Sequence, residues 1–175
     1  MDSMYMIIVG IMMTLAITGL VVGVANDAVN FLNSALGSKV APRYVIMTVA
    51  SVGIIVGAIT SSGMMEVARS GVFHPEMFSF SEVMMLFLAV MFMNVILLDV
   101  FNTLGMPTST TVSLVFGLLG AAVSVSVYKI THSDLHTMAD LATYINTGKA
   151  MAIISGILLS VAIAFFFGAI VQYIS

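Results

Sequence analysis

Long apolar segments alternate with short polar ones along the whole chain. A membrane-spanning helix needs about 20 predominantly apolar residues, and the apolar runs here reach that length. The pattern therefore predicts an all-α integral membrane protein, with residues 1–175 forming a single transmembrane domain. The predicted hydrophobic segments are 4–25, 44–65, 83–104, 107–128 and 150–173.

The first apolar segment does not stop where a simple span would. Apolar residues continue past a polar cluster at 26–30 as far as Leu36. Either one long helix is strongly tilted, or the cluster breaks the helix at membrane depth. Broken helices are tolerated there only where the loosened backbone is buried in protein or lines a watery cavity. Both alternatives are open at this point.

A second polar interruption separates the third and fourth segments, at Gly105-Met106-Pro107. So short a connection predicts a tight hairpin, which either crosses the membrane twice or turns back half way as a re-entrant pair. A tip rich in Gly, Pro and hydroxyl groups favours the re-entrant form.

A helix is predicted to restart directly after this break. Pro fits the first helical turn, where its missing N–H has no partner anyway. The unpaired N–H groups and the dipole at a helix start favour an anion, as at the half-helices of transporters. The hydroxyl residues at this start are Ser109, Thr110 and Thr111.

Composition supports the membrane assignment. Hydrophobic residues make up 61% of the chain and charged residues 7%, against roughly 25% charged in soluble domains. So few charges cannot cover a water-facing surface, so we expect an integral protein of the plasma (inner) membrane. The absence of a basic patch argues against nucleic acid as a partner, and zero cysteines exclude disulfides and thiolate metal sites.

Two carboxylates, Asp27 and Asp99, lie within the apolar segments. A charge at the bilayer centre costs about 2.5–3.5 kcal/mol on the insertion scale, and no Lys or Arg lies within a segment to offset it. A bound cation or a proton is what remains. Carboxylate and amide oxygens suit Na⁺-like cations, and residues three or four apart share a helix face. The predicted cation site comprises Asn26, Asp27 and Asn30, which are also the predicted metal ligands, with Asp99 added.

Structural roles are the alternative for these clusters and for Asn94, Thr103 and Ser113. Intramembrane polar side chains can hydrogen-bond one helix to another, and helix capping alone could explain the 109–111 hydroxyls. A short surface helix capped by Ser133 is predicted over 133–145. No nucleophile–base pair appears, so we do not expect an enzyme, and we expect no cofactor.

At these two clusters the chain resembles the inorganic phosphate transporter (PiT) family, which moves phosphate with Na⁺ or H⁺. Residues 24–30, Val-Ala-Asn-Asp-Ala-Val-Asn, are similar to its first signature, and residues 105–111, Gly-Met-Pro-Thr-Ser-Thr-Thr, match its second. The resemblance implies phosphate contacts from Ser109, Thr110 and Thr111, to which we add Asn102. It implies that Asn26, Asp27 and Asn30 lie at the cation and substrate site.

The family carries both motifs twice, in two inverted halves, and this chain has one copy of each. We therefore expect half of a transporter whose site lies near the bilayer midplane. The missing half would come from a longer parent chain, which we favour, or from a second copy in an antiparallel homodimer. Two other functions stay open: transport of another oxyanion such as sulfate, and a membrane subunit that transports nothing.

Overall fold

The computed structural model describes residues 3–60, 71–106, 108–132 and 140–174. The helices in these ranges are α1 (Ser3–Ser38), α2 (Arg43–Thr60), a 3₁₀-helix (Pro75–Met77), α3 (Phe80–Thr103), α4 (Thr110–Thr131), α5 (Leu141–Tyr144) and α6 (Thr147–Ile174). Of these, α1, α2, α3, α4 and α6 are long and apolar enough to cross a membrane. The predicted all-α membrane protein with five hydrophobic segments is confirmed.

Helix α1 is continuous through the polar cluster at 26–30. Its 36 residues extend about 54 Å at 1.5 Å per residue, against a hydrocarbon core of about 30 Å. The alternative of a helix broken at this cluster is therefore wrong. The helix stays intact because Asn26 and Asn30 direct their amides to another segment, and so do not compete for the backbone of α1. An intact helix of this length must tilt or project from the membrane.

The hairpin prediction is confirmed, and its turn has a clear local cause. Gly105 adopts a left-handed conformation with φ of +67°. The Gly105 N–H donates to the Asn102 carbonyl, and the Met106 N–H donates to the Phe101 carbonyl. These two bonds form a Schellman motif, the common glycine-terminated helix end. Each helix is long enough to cross the membrane fully, so the re-entrant form of the hairpin stays a prediction.

Helices α1, α3 and α4 form the packed part of the molecule. Tyr5 contacts Phe80 near the start of both α1 and α3, and a β-carbon on Gly19 would lie 3.4 Å from the Val95 side chain, so these two helices run in the same direction. Helix α4 returns along α3. There the Ser113 hydroxyl donates to the Asn94 side-chain oxygen at 2.8 Å, which confirms the interhelical role for this pair.

Helices α2 and α6 bury very little within the chain. Among the described residues, α2 has a single buried residue, Ile46, and α6 has a single buried residue, Ala150. Because both helices are apolar on all sides, their surfaces require lipid or further protein around them.

Two polar segments, residues 71–79 before α3 and 140–146 before α6, meet at the end of the bundle where α3 begins and α4 ends. The His74 N–H donates to the Tyr144 carbonyl, and the Asn146 N–H donates to the Val72 carbonyl. Residues 133–139 of the predicted surface helix, including Ser133, lie outside the described residues, and the described remainder contains only the four-residue α5. Apolar side chains from both segments join the hairpin core, which includes Val72, Phe73, Phe78, Leu86, Val90, Val115, Leu118, Ala122, Ile130, Tyr144 and Ile145.

Lys129 stabilises this end of the bundle through contacts with several segments. Its ammonium donates to the Met77 carbonyl at 2.9 Å and to the Glu82 carboxylate at 3.1 Å, and lies over the rings of Phe78 and Tyr144. Glu82 also accepts from the Ser79 N–H in a capping box at the start of α3. One cation thus connects α3, α4 and both polar segments.

We expect Lys129→Met to lower the free energy of unfolding by about 1–3 kcal/mol, because it removes two hydrogen bonds and leaves Glu82 without its cation. Thermal unfolding of the purified protein in detergent measures the loss. Lys149→Met is the matched control at an exposed lysine, where we expect a change within about 0.5 kcal/mol. Equal effects of the two variants would contradict the role assigned to Lys129.

Candidate functional site

The two polar clusters, about 80 residues apart in sequence, meet in the structure. The side-chain amides of Asn26 and Asn30, one turn apart on α1, both donate to the Thr108 carbonyl at 2.8 Å. Thr108 lies in the short connection that leads into α4. The two asparagines therefore hold the start of α4 against the C-terminal third of α1.

The two asparagines differ in burial although they share an acceptor. Asn26 is 1% exposed, whereas Asn30 is exposed at the edge of the contact. A buried amide needs its hydrogen bonds, since water cannot replace them. Asn26 thus makes the buried hydrogen bond to Thr108, and Asn30 makes the solvent-exposed one.

Asp27 faces the first residue of α4. The Thr110 hydroxyl donates to the Asp27 Oδ1 at 3.4 Å, and the carboxylate is half-buried. A carboxylate at a helix N-terminus interacts favourably with the helix dipole. Asp27 thus lies at the positive end of α4, where an anion would also bind.

Helix α4 begins with a capped turn. The Val112 N–H donates to the Ser109 hydroxyl at 3.3 Å, and the Ser113 N–H donates to the Ser109 carbonyl at 3.0 Å. The capping offered as an alternative to anion binding is therefore present. It leaves the N–H groups of Thr110 and Thr111, which have no intrahelical acceptor at a helix start, directed out of the end of the helix.

A pocket of about 400 Å³ opens at this helix start. It combines hydroxyl donors, one carboxylate and one aromatic ring, and no Lys or Arg is among its described lining residues. The lining comprises Asp27, Asn30, Phe31, Thr108, Ser109, Thr110 and Thr111. The volume lies within the range usual for small-ligand sites.

The structure brings most of the predicted site residues into this one place. Asp27, Asn30, Ser109, Thr110 and Thr111 line the pocket. Asn26 lies behind it, bonded to Thr108. Pro107, at the predicted break, lies outside the described residues.

Besides Asn26, two further predicted residues do not line the pocket. The Asn102 amide donates to the Val22 carbonyl at 3.2 Å, so it connects the end of α3 to α1. Asp99 is exposed on α3. A phosphate contact from Asn102 and a cation contact from Asp99 therefore stay predictions, without support from the pocket.

Sequence reasoning missed two lining residues, Phe31 and Thr108. Phe31 is 75% exposed and lies four residues after Asp27, on the same face of α1, and that spacing was a usable signal. Thr108 contributes its backbone carbonyl, and sequence carries no signal for which carbonyl will accept two asparagine amides.

A family model described as "Phosphate transporter family" matches residues 23–175, which include both clusters and most of the chain. The chain belongs to the phosphate transporter family. No curated protein and no solved structure matches it. The family consists of transporters rather than enzymes, and with five apolar helices this member is an integral membrane protein.

Proposed function

We propose that this chain is one half of a secondary transporter that moves inorganic phosphate with Na⁺ or H⁺. The observation that carries the proposal is the pocket in which the start of α4 faces Asp27 and Asn30 of α1. The start of α4 suits an anion, and Asp27 with Asn30 suits a cation. Their proximity is what coupled transport of the two requires.

Phosphate would be held at the start of α4. The N–H groups of Thr110 and Thr111, together with the hydroxyls of Ser109 and Thr111, supply donors from one short segment, while the Thr110 hydroxyl already donates to Asp27. Hydrogen bonds to a charged acceptor are stronger than those between neutral groups, and a helix N-terminus adds a favourable field. The 400 Å³ pocket has room for the ion with part of its water.

Asp27 explains why the anion would need a companion ion. A negative oxygen about 5 Å from this carboxylate is repelled by about 3 kcal/mol per unit of charge at an effective dielectric of about 20. A Na⁺ ion or a proton on Asp27 removes that repulsion. The anion and the cation then bind more tightly together than separately, which is the thermodynamic basis of coupling.

A complete transporter needs a second half around this pocket. Inverted repeats form midplane sites at their mutual interface, and rocking of one repeat against the other alternates access. The unburied apolar surfaces of α2 and α6 offer area for a second repeat or a second copy of the chain. We place the assembly in the plasma membrane.

The absence of cysteine from the chain allows a direct test. A single cysteine at pocket-lining Phe31, which is 75% exposed and is not one of the proposed phosphate donors, will react with a small water-soluble thiol reagent. We expect phosphate to slow that reaction about tenfold or more in the presence of Na⁺, because the bound ion covers the site. The rate is measured by mass spectrometry on the purified protein.

Thr131→Cys, at the other end of α4, is the matched control, and phosphate should leave its reactivity unchanged. Protection of Phe31→Cys by sulfate at the same concentration would favour the general oxyanion transporter. Phosphate having no effect at either position would contradict the proposal and favour the subunit that transports nothing.

A further inference from the structure

The pocket has a feature that anion binding alone does not explain. A carboxylate lies among the donors, and no positively charged side chain is among the described lining residues. For an anion with no hydrogen atom, Asp27 offers only repulsion. For an anion that carries its own O–H group, the same carboxylate is a hydrogen-bond acceptor.

We propose that Asp27 accepts a hydrogen bond from the O–H group of the bound anion, and so selects protonated oxyanions. Phosphate and arsenate carry such a proton at neutral pH, and sulfate does not. This inference rests on the proposed function and specifies which substrates that same pocket admits. It assigns Asp27 a role in specificity in addition to any role in cation binding.

The geometry places the carboxylate where it must meet the anion. Asp27 Oδ1 accepts from the hydroxyl of Thr110, the first residue of α4, at 3.4 Å. An anion held by the Thr110 and Thr111 N–H groups at this helix start is therefore a close neighbour of Asp27. A carboxylate has about four acceptor positions on its two oxygens, so the Thr110 contact leaves positions for the anion and for a cation.

The two kinds of anion oxygen then have opposite effects. A protonated oxygen donates to the carboxylate in a charge-assisted O–H···O⁻ bond, which is among the stronger hydrogen bonds in proteins. An oxygen without a proton faces the carboxylate as a second acceptor, and neither atom is satisfied. Sites built around a substrate O–H group reject analogues that lack it, because their own polar group is left unpaired.

Neutralisation by a cation alone would give a different specificity. In that case only the charge and size of the anion would matter. Fluorophosphate separates the two explanations, since its dianion matches hydrogen phosphate in charge and closely in size but carries no O–H group. Sulfate provides a second dianion without a proton.

The experiment measures displacement of radiolabelled phosphate from the purified full chain in detergent, at saturating Na⁺ and neutral pH. The competitors are phosphate, arsenate, sulfate and fluorophosphate. We expect sulfate and fluorophosphate to bind about ten- to a hundredfold more weakly than phosphate and arsenate, as the loss of one hydrogen bond to a charged group predicts.

Asp27→Asn should reduce that difference to about threefold or less, because an amide can donate to an unprotonated oxygen. Asp99→Asn makes the same change at an exposed carboxylate outside the pocket, and should keep the wild-type ratios. Equal binding of fluorophosphate and phosphate by the wild-type protein would overturn the inference and leave the proposed function standing. If Asp27→Asn fails to bind any anion, the wild-type comparison still decides. Absence of phosphate binding to the wild-type protein would overturn both.

Discussion

Asp27→Asn is expected to abolish cation-dependent phosphate uptake while the protein remains folded. The carboxylate is the only formally charged group among the described residues that line the pocket, and an amide neither binds Na⁺ with comparable strength nor takes up a proton. Loss of about 3 kcal/mol of cation–anion coupling corresponds to a decrease of about a hundredfold or more in the stimulation of phosphate uptake by the cation. Uptake into proteoliposomes with and without a Na⁺ or pH gradient measures it.

Two companion measurements make this result interpretable. Thermal unfolding of Asp27→Asn should stay close to that of the wild type, since the Thr110 hydroxyl can donate to an amide oxygen as it does to the carboxylate. Asp99→Asn tests the other predicted cation ligand. Because Asp99 lies outside the pocket, we expect a much smaller effect on uptake, and an equal loss would return Asp99 to the cation site. Unchanged uptake by Asp27→Asn would refute its assigned role.

Asn26→Ala is expected to destabilise the protein by about 1–3 kcal/mol and to weaken phosphate binding. The substitution removes a 2.8 Å hydrogen bond from a side chain that is 1% exposed, and leaves the Thr108 carbonyl with one donor fewer. The connection before α4 then loses its inner attachment to α1. Thermal unfolding and phosphate displacement measure the two effects.

Asn30→Ala provides the matched comparison, because it removes a bond of the same length to the same carbonyl from an exposed position. Water can replace this outer bond, so we expect less than about 1 kcal/mol of destabilisation. A larger destabilisation by Asn30→Ala than by Asn26→Ala would show that burial does not determine how much each hydrogen bond stabilises the contact with Thr108.

The membrane architecture could be predicted because its signals are local. An apolar run near 20 residues long reports a spanning helix whatever it packs against. The predicted segments agree with the observed helices to within a few residues, apart from the continuation of α1 to Ser38 and from residues 61–65 of the second segment, which lie outside the described residues. The hairpin turn was equally accessible, since Gly105 supplies the left-handed residue that ends α3.

The continuity of α1 was not accessible in this way. Its polar cluster has the composition of a helix break, but Asn26 and Asn30 bond to Thr108 instead of to their own helix. Whether such residues break a helix depends on the partners offered by the rest of the fold. Neither propensity nor periodicity encodes those partners.

The sequence by itself determined that this is a membrane protein with two oxygen-rich clusters, and it identified five of the seven pocket-lining residues, with Phe31 and Thr108 unassigned. Only the tertiary structure decided that Thr108 joins the clusters, that Asn102 connects α3 to α1, and that Asp99 lies outside the pocket. The physical reason is that spacing along a helix fixes which side chains share a face. The contact partner of that face is set by the rotation and packing of separate helices, which depend on the whole chain.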